Sequence, residues 1–551
     1  MKNKIYIILG ILLSLFVSLS CDLLEEEVVS GVTPEFYTTP EGLQSAVNAA
    51  YEPLRRYYAD EQGMSMTVFG TDEFTNGGHG SYRYMNQYST QLNSQSSPLW
   101  NIWYHFYVGI NTCNTAIARS EGLEMNSDVK NSMLGEVRFL RAHYYFELVR
   151  HFGPIHLSLE ETIGVETEAN RTPENEIYTA IIEDLEFAIT NLPIEQSEFG
   201  RVTRPAAEHM LSLVLLTRGY QDFAEANDFS RSADLAVKVI EDYDHKLLDN
   251  FLDVFDHDNE TNDEIIWSVQ YEKDILINGL GNRSHMYFAP WFSFYSGLDD
   301  SNEPGYGRPW IRYRPTQWGL DNFRPLDIDA RFLSTFQSVW YYNSPGTIPE
   351  GSAVGDTAIW VTHEYLTQEK YDEVMERHPN LIFYSWHPDN IGDPWGFENV
   401  INLFPYPEKK FSDYKRDGAW VTAGTRDWIV YRVAETYFIL AEALLQDGRA
   451  SDAVKYINII RRRAAWPGME SQMEVSESEL NIDFLLDEKS RELFGEQRRW
   501  HDLKRTGKLL ERVKLYNPVA AENIKEHHAL RPIPMNQIQR STNEYGQNPG
   551  Y

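Results

Sequence analysis

Glu136-Val-Arg-Phe-Leu-Arg-Ala-His-Tyr-Tyr-Phe-Glu-Leu-Val-Arg-His-Phe-Gly-Pro154 is the stretch from which the fold can be read. With the residues just before it, Met133, Val137, Leu140, Tyr144 and Leu148 recur at three- and four-residue steps, the spacing of one helix face. Phe139, Ala142, Phe146 and Val149 form a second apolar stripe. A helix that is apolar on two sides must be sandwiched between other helices. Gly153-Pro154 ends it, because proline cannot continue the backbone hydrogen bonding. The spacing predicts this helix over about 129–152.

Working outward, similar periodicity predicts helices over about 40–57, 99–119, 174–191, 204–224 and 229–243. Helices return near the C-terminus at about 430–446, 451–464 and 484–507. The pairs 99–119 with 129–152, 174–191 with 204–224, and 430–446 with 451–464 have the size of tetratricopeptide hairpins. Between them the character changes. Ile265, Trp267, Val269 and Tyr271 alternate along a strand, and residues 273–426 are rich in Gly, Pro, Asn, Asp and aromatics without sustained helical period. The expected fold is mainly α: a tetratricopeptide-like helical-hairpin scaffold (about 38–245 and 426–510) carrying an irregular, loop-rich module with short strands (about 246–425). An extended tail, 528–551, closes the chain.

The termini and composition bear on compartment. A short basic start is followed by an apolar run from Ile5 to Val17, shorter than the ~20 residues of a membrane span. It reads as a signal peptide over 1–20, with Cys21 at the position where a lipoprotein is cut and acylated. Residues 21–551 then form one domain, anchored to a membrane without spanning it. The formal charge of −33 disfavours nucleic acid and anionic lipid as partners. The two cysteines are Cys21 and Cys113; with the first lipidated no disulfide forms, and Cys113 is expected to be a small buried helix residue.

Four segments together resemble the SusD/RagB family of Bacteroidetes outer-membrane lipoproteins. They are Glu136 to Ile155, Tyr431-Arg-Val-Ala-Glu-Thr-Tyr-Phe-Ile-Leu-Ala-Glu-Ala443 continued to Arg461-Arg-Arg-Ala464, Asp487-Glu-Lys-Ser-Arg-Glu-Leu-Phe-Gly-Glu-Gln-Arg-Arg-Trp-His-Asp-Leu-Lys-Arg505, and Arg531-Pro-Ile-Pro534 with Gln547-Asn-Pro-Gly-Tyr551. The acidic Asp22-Leu-Leu-Glu-Glu-Glu27 after Cys21 is similar to the surface-export tag of such lipoproteins. The resemblance implies a cell-surface protein of a polysaccharide utilisation system, paired with a TonB-dependent β-barrel transporter for which it acts as a lid. It implies capture of oligosaccharide or another nutrient, and no chemistry. Within these motifs Arg432, Glu435, Glu442, Arg461, Arg491, Glu492, Glu496, Arg498 and Arg499 are assigned to structure, as charges on apolar helix faces need partners.

Sugars present C–H faces to aromatic rings and a rim of hydroxyls to polar side chains. Residues 287–318 supply both, with Trp291, Tyr295, Tyr306 and Trp310 around the Gly297–Arg308 loop. Trp310, flanked by Arg308 and Arg312, is the leading candidate, while Phe288, Phe292 and Phe294 are assigned to the module's core. A second candidate is the Gly-rich loop 70–84, with Asp72, Asn76, Tyr82 and Arg83. The same rings and polar groups could instead be core and solvated loop. Arg83, Arg308 and Arg312 could pair with uronate or sulfate groups, although the acidity of the chain opposes an anionic polymer.

Two rival readings stay open. A surface glycoside hydrolase would need two carboxylates at a defined separation, and the nearest pair, Asp327 with Asp329, lies in a segment similar to a structural part of the family. A pure adaptor would use the helical pairs for protein and the aromatics for packing. No cofactor is expected. A calcium site in Asp256–Glu264 is weak, lacking the Gly and Glu of a helix–loop–helix site, and a solvated acidic turn is expected there. His527-His528 is expected to be solvated.

Overall fold

The computed structural model describes residues 36, 38–386 and 403–551. The signal segment and the lipidation expected at Cys21 lie outside the described residues.

Ten helices build the scaffold: α1 Pro40–Tyr51, α2 Ser97–Arg119, α3 Ser127–Phe152, α4 Glu174–Asn191, α5 Arg204–Arg218, α6 Asp228–Glu241, α7 Val433–Gln446, α8 Ala450–Ala464, α9 Ile482–Leu493 and α10 Arg499–Arg505. Seven strands accompany them: β1 Phe74–Asn76, β2 Ile265–Val269, β3 Tyr313–Pro315, β4 Val339–Tyr341, β5 Thr357–Tyr365, β6 Ile382–Trp386 and β7 Trp428–Arg432. Helix α3 is the element the two stripes demanded. It packs on both α2 and α4 and is buried almost all round from Gly135 to Phe152. The Asn126 side chain caps its N-terminus, accepting from the Asp128 and Val129 amides, and Gly153 at φ +71° turns the chain out. The row continues α4–α5–α6, and α7 then packs on α6 with α8 beyond it. The C-terminal hairpin therefore extends the N-terminal row, and the irregular module is an insertion between them.

Three boundaries differ from the expectation. Val430 lies in β7, where Trp428–Arg432 pairs antiparallel with β2 before the helix starts at Val433. The helix expected to reach 224 ends at Arg218, whose guanidinium grips Asp228. The helix expected over 484–507 is broken between α9 and α10, where Gly495 and Gln497 take positive φ. That break redirects Arg498 to Glu435 (3.1 Å) and Arg499 to Asp72 (2.6 Å).

Most of the charges assigned to structure join a buried lattice, with Glu435–Arg498, Glu442–Arg505 and Arg499–Asp72 as separate pairs. Arg432 meets Glu264, Glu492 and Glu496; Arg331 meets Asp329, Glu488 and Glu492. Arg461 joins Glu488, and Arg463 joins Glu264 and Glu492. Arg331 and Arg432 are essentially without solvent contact, so each depends on its set of carboxylates to offset the cost of burying its charge. Cys113 is buried in α2 as expected, and burial pushes its thiol up. His528 is not solvated: it is buried, its ring 4.8 Å from that of Tyr88.

Candidate functional site

The two stretches singled out in the sequence are brought together by the β1–β3 ladder. Phe74 pairs with Pro315, Thr75 with Arg314 and Asn76 with Tyr313. The pairing continues past the strands, with the Gly77 amide donating to Arg312 O (3.0 Å) and that of His79 to Ile311 O (3.4 Å). On the other side, the amides of Trp310, Ile311 and Arg312 donate to the carbonyls of Met286, Ala289 and Tyr287. Residues 310–312 are therefore pinned from both flanks. Ile311 sits at φ +48° with its side chain fully buried, a conformation that costs energy in a β-branched residue and persists only where its surroundings enforce it. Glycine is required opposite, since a Cβ on Gly77 would lie 2.1 Å from Ile311 O.

This backbone presents a ribbon of rings and guanidinium groups. Trp420, 71% exposed, lies 4.8 Å from the Arg308 guanidinium. Arg308 is 6.0 Å from the Trp310 ring, and Arg312 lies 4.9 Å from that same ring. Arg312 is buried, ion-paired to Glu61 at 2.7 Å and hydrogen-bonded to His79 Nδ1 at 2.6 Å. The His79 ring lies 6.0 Å from Trp291, which meets the 70%-exposed Phe294 edge-on at 4.5 Å. The loop carrying Trp420 is held by Arg416, whose guanidinium donates to Asp413 O, Ala419 O and Val421 O. Burial lowers the pKa of Arg416 and raises that of Asp300 beside the ribbon.

Of the expected site residues, Trp291, Arg308 and Trp310 lie in the ribbon, half-buried. Tyr295 and Tyr306 lie in the module outside the ribbon; burial raises the Tyr295 phenol, and Tyr306 donates to Tyr341 O (2.8 Å) while its ring packs on Phe292. Asp72 is a correction. It is fully buried and held by Arg499 and Arg512, so its carboxylate neutralises two guanidiniums in the scaffold. Asn76 is also buried, at the end of β1, with its Oδ1 unpartnered. Tyr82 is half-buried against Tyr84. Arg83 donates to the carbonyls of Gly77 and Gly78, bracing the glycine loop. Phe294, assigned to the core from sequence, is exposed. Trp420 and His79 were missed, although a lone Trp between Gly418 and Gly424 in a polar turn is a readable sign.

The rival constellations are occupied by packing. Asp329 is buried against Arg331, so it does not join Asp327 in a sugar-flanking pair. In Asp256–Glu264, Glu264 binds Arg432 and Arg463, and Asp258 pairs with Lys415, in place of a wholly solvated turn. Glu147, His151 and His501 lie close enough to hold a metal, but Tyr57 Oη joins all three and Arg150 neutralises Glu147. Both histidines leave Nδ1 without the outer partner that metal-bound imidazoles have. Elsewhere, a cleft of 460 Å³ runs along α2, with Trp100, Tyr104 and Arg540 on its wall.

A family model described as "SusD family" matches residues 263–551. A second, described as "Starch-binding associating with outer membrane", matches residues 23–216. SusD-like protein P2 of Formosa agariphila is 26% identical, over 96% of this chain and 97% of its own. A SusD-like protein of Bacteroides ovatus is 28% identical over 54% of this chain and 57% of its own. Among solved structures, a "Laminarin binding SusD-like protein" superposes with a TM-score of 0.70 at 20% identity, covering 93% of this chain and 100% of that one. Surface glycan-binding protein A from Bacteroides thetaiotaomicron in complex with laminarihexaose gives 0.68 at 19% identity, covering 93% and 99%.

Proposed function

The chain belongs to the SusD family, and on that premise we propose that it is a lipid-anchored, cell-surface glycan-binding protein that hands captured saccharide to a β-barrel transporter. The observation that carries this reading is the ribbon from exposed Trp420 through half-buried Arg308 and Trp310 to Trp291 and exposed Phe294. Flat apolar faces set at different angles suit the C–H faces of successive sugar rings, and the neighbouring polar groups suit hydroxyls. Two structural neighbours that bind laminarin or laminarihexaose support the ligand class. The description of the second family model supports an outer-membrane location, and no helix among the described residues is long and apolar enough to cross a membrane. Attachment is assigned to lipid on Cys21. The row of helical pairs is the part of the fold assigned to the transporter. The reading assigns the protein no hydrolysis, and the commitment of Asp329 to Arg331 removes the Asp327–Asp329 pair as its source.

Affinity electrophoresis of the detergent-solubilised whole chain against neutral and anionic polysaccharides tests the reading, with reducing-end release assayed in the same samples. Retardation by at least one polymer without sugar release is expected. Release of sugar would replace the reading with a hydrolase, and absence of retardation by every polymer would replace it with an adaptor.

A further inference from the structure

Resting on the glycan-binding reading, we propose that the ligand is an anionic glycan and that Arg308 selects it, pairing with a carboxylate or sulfate ester on a sugar seated against Trp310 or Trp420. The three arginines near the site separate clearly. Arg312 is committed to Glu61 and His79, and Arg83 to two backbone carbonyls. Arg308 alone of the three has no hydrogen bond or ion pair among the described residues; it lies against the two indoles, with the charges of Asp300 and Arg416 near it. A guanidinium held between rings keeps its N–H edges free, and those edges match a planar or trigonal oxyanion in bidentate fashion. Stacking removes rotamer freedom in advance, so less is lost when the anion arrives.

Of the acids nearby, Asp299 accepts from Ser344 at 2.5 Å, and Asp300 is bonded to Ser293 while one of its buried carboxylate oxygens has no partner; it interacts with Arg308 through charge and makes no hydrogen bond to it. The overall charge of −33 opposes a polyanion at long range, but that field is screened beyond ~8 Å at physiological ionic strength. A direct contact at hydrogen-bond distance is not, so the local cation decides the outcome.

The test pairs each polymer with its neutral twin: a uronan against its carboxyl-reduced form, and a sulfated glycan against its desulfated form. Titration calorimetry is run on the whole chain, wild type and Arg308→Gln. The wild type is expected to bind one anionic polymer about ten-fold or more tighter than its neutral twin. Loss of preference on carboxyl reduction would identify a uronate, and loss on desulfation a sulfate ester. Arg308→Gln is expected to erase that preference while still binding the neutral twin, and Arg308→Lys to restore part of it. Equal binding of charged and neutral forms by the wild type would overturn the inference and leave the glycan-binding reading standing. Equal loss of both forms in Arg308→Gln would likewise overturn it. Binding of none of the four polymers would overturn the inference and count against the reading beneath it.

Discussion

Trp310 owes its position to the residue after it. Ile311 is buried at positive φ, and the turn it makes brings Trp310 beside Arg312. Because the ring is half-exposed and its backbone is fixed by other residues, Trp310→Ala is expected to weaken glycan binding about ten-fold or more. The melting temperature should change little, which parallel calorimetry would check. Asp72 has the opposite profile. Asp72→Ala leaves Arg499 with only Glu73 at 3.8 Å and Arg512 with Asp487 and Asp483, and is expected to cost about 3 kcal/mol in denaturant unfolding. Glycan affinity of the folded fraction should stay at the wild-type value; a direct loss of affinity would return Asp72 to the site. The two residues show what a sequence discloses. The partial exposure of Trp310 was legible because a Trp flanked by arginines in a turn-rich segment has no local way to be buried. Asp72 was misread because its partners lie more than 400 positions away, at Arg499 and Arg512, and local composition carries no trace of such a pairing. Phe294 was misread for a related reason: burial of a ring in an irregular module depends on tertiary neighbours, not on period.

At the scale of elements, the β1–β3 ladder is what assembles the candidate site. It joins a glycine-rich loop from the N-terminal scaffold to the aromatic segment of the insertion. Gly77 lies just beyond its end, and Gly77→Ala would drive a Cβ into Ile311 O. The expected result is reduced glycan affinity with the helical circular-dichroism signal intact; unchanged affinity would show that the loop can move aside. Helices α3, α4 and α8 were legible almost to the residue because their apolar spacing and caps agree. Strand β7 was not, because Trp428–Arg432 is short and runs directly into α7, so its apolar residues merge into the helical stripe. The α9–α10 break was also hidden, since the motif there reads as one continuous amphipathic run around Gly495.

Across the whole molecule, burial of ionisable groups sets a pH window. His143 is held down to about 4, and His285, His501 and His528 to about 3, chiefly by burial; His151 and His209 are lowered as well. A folded-state value below the unfolded ~6.5 stabilises the fold above pH 6.5 and is lost as pH falls toward the folded value. Glu73, raised by burial to about 7, Glu260, raised to about 8, and Asp427, raised to about 6, act in the opposite sense, costing stability as pH rises from ~4. The six histidines outnumber these three carboxylates between pH 6.5 and 5. The melting temperature is therefore expected to fall from pH 7 to pH 5, with net proton uptake on unfolding. A flat or rising profile in scanning calorimetry would show that the buried carboxylates dominate. The scaffold that carries this chemistry was largely written in helical periodicity, whereas the ribbon depends on three segments, 77–79, 291–312 and 420, that meet only after folding. The central claim is that this ribbon seats the ligand, and the crystal structure of the chain with an oligosaccharide of the polymer it retains tests that most directly. Sugar rings against Trp310, Trp420 or Trp291 are the predicted result. Sugar in the cleft of Trp100, Tyr104 and Arg540, with the ribbon bare, would contradict it.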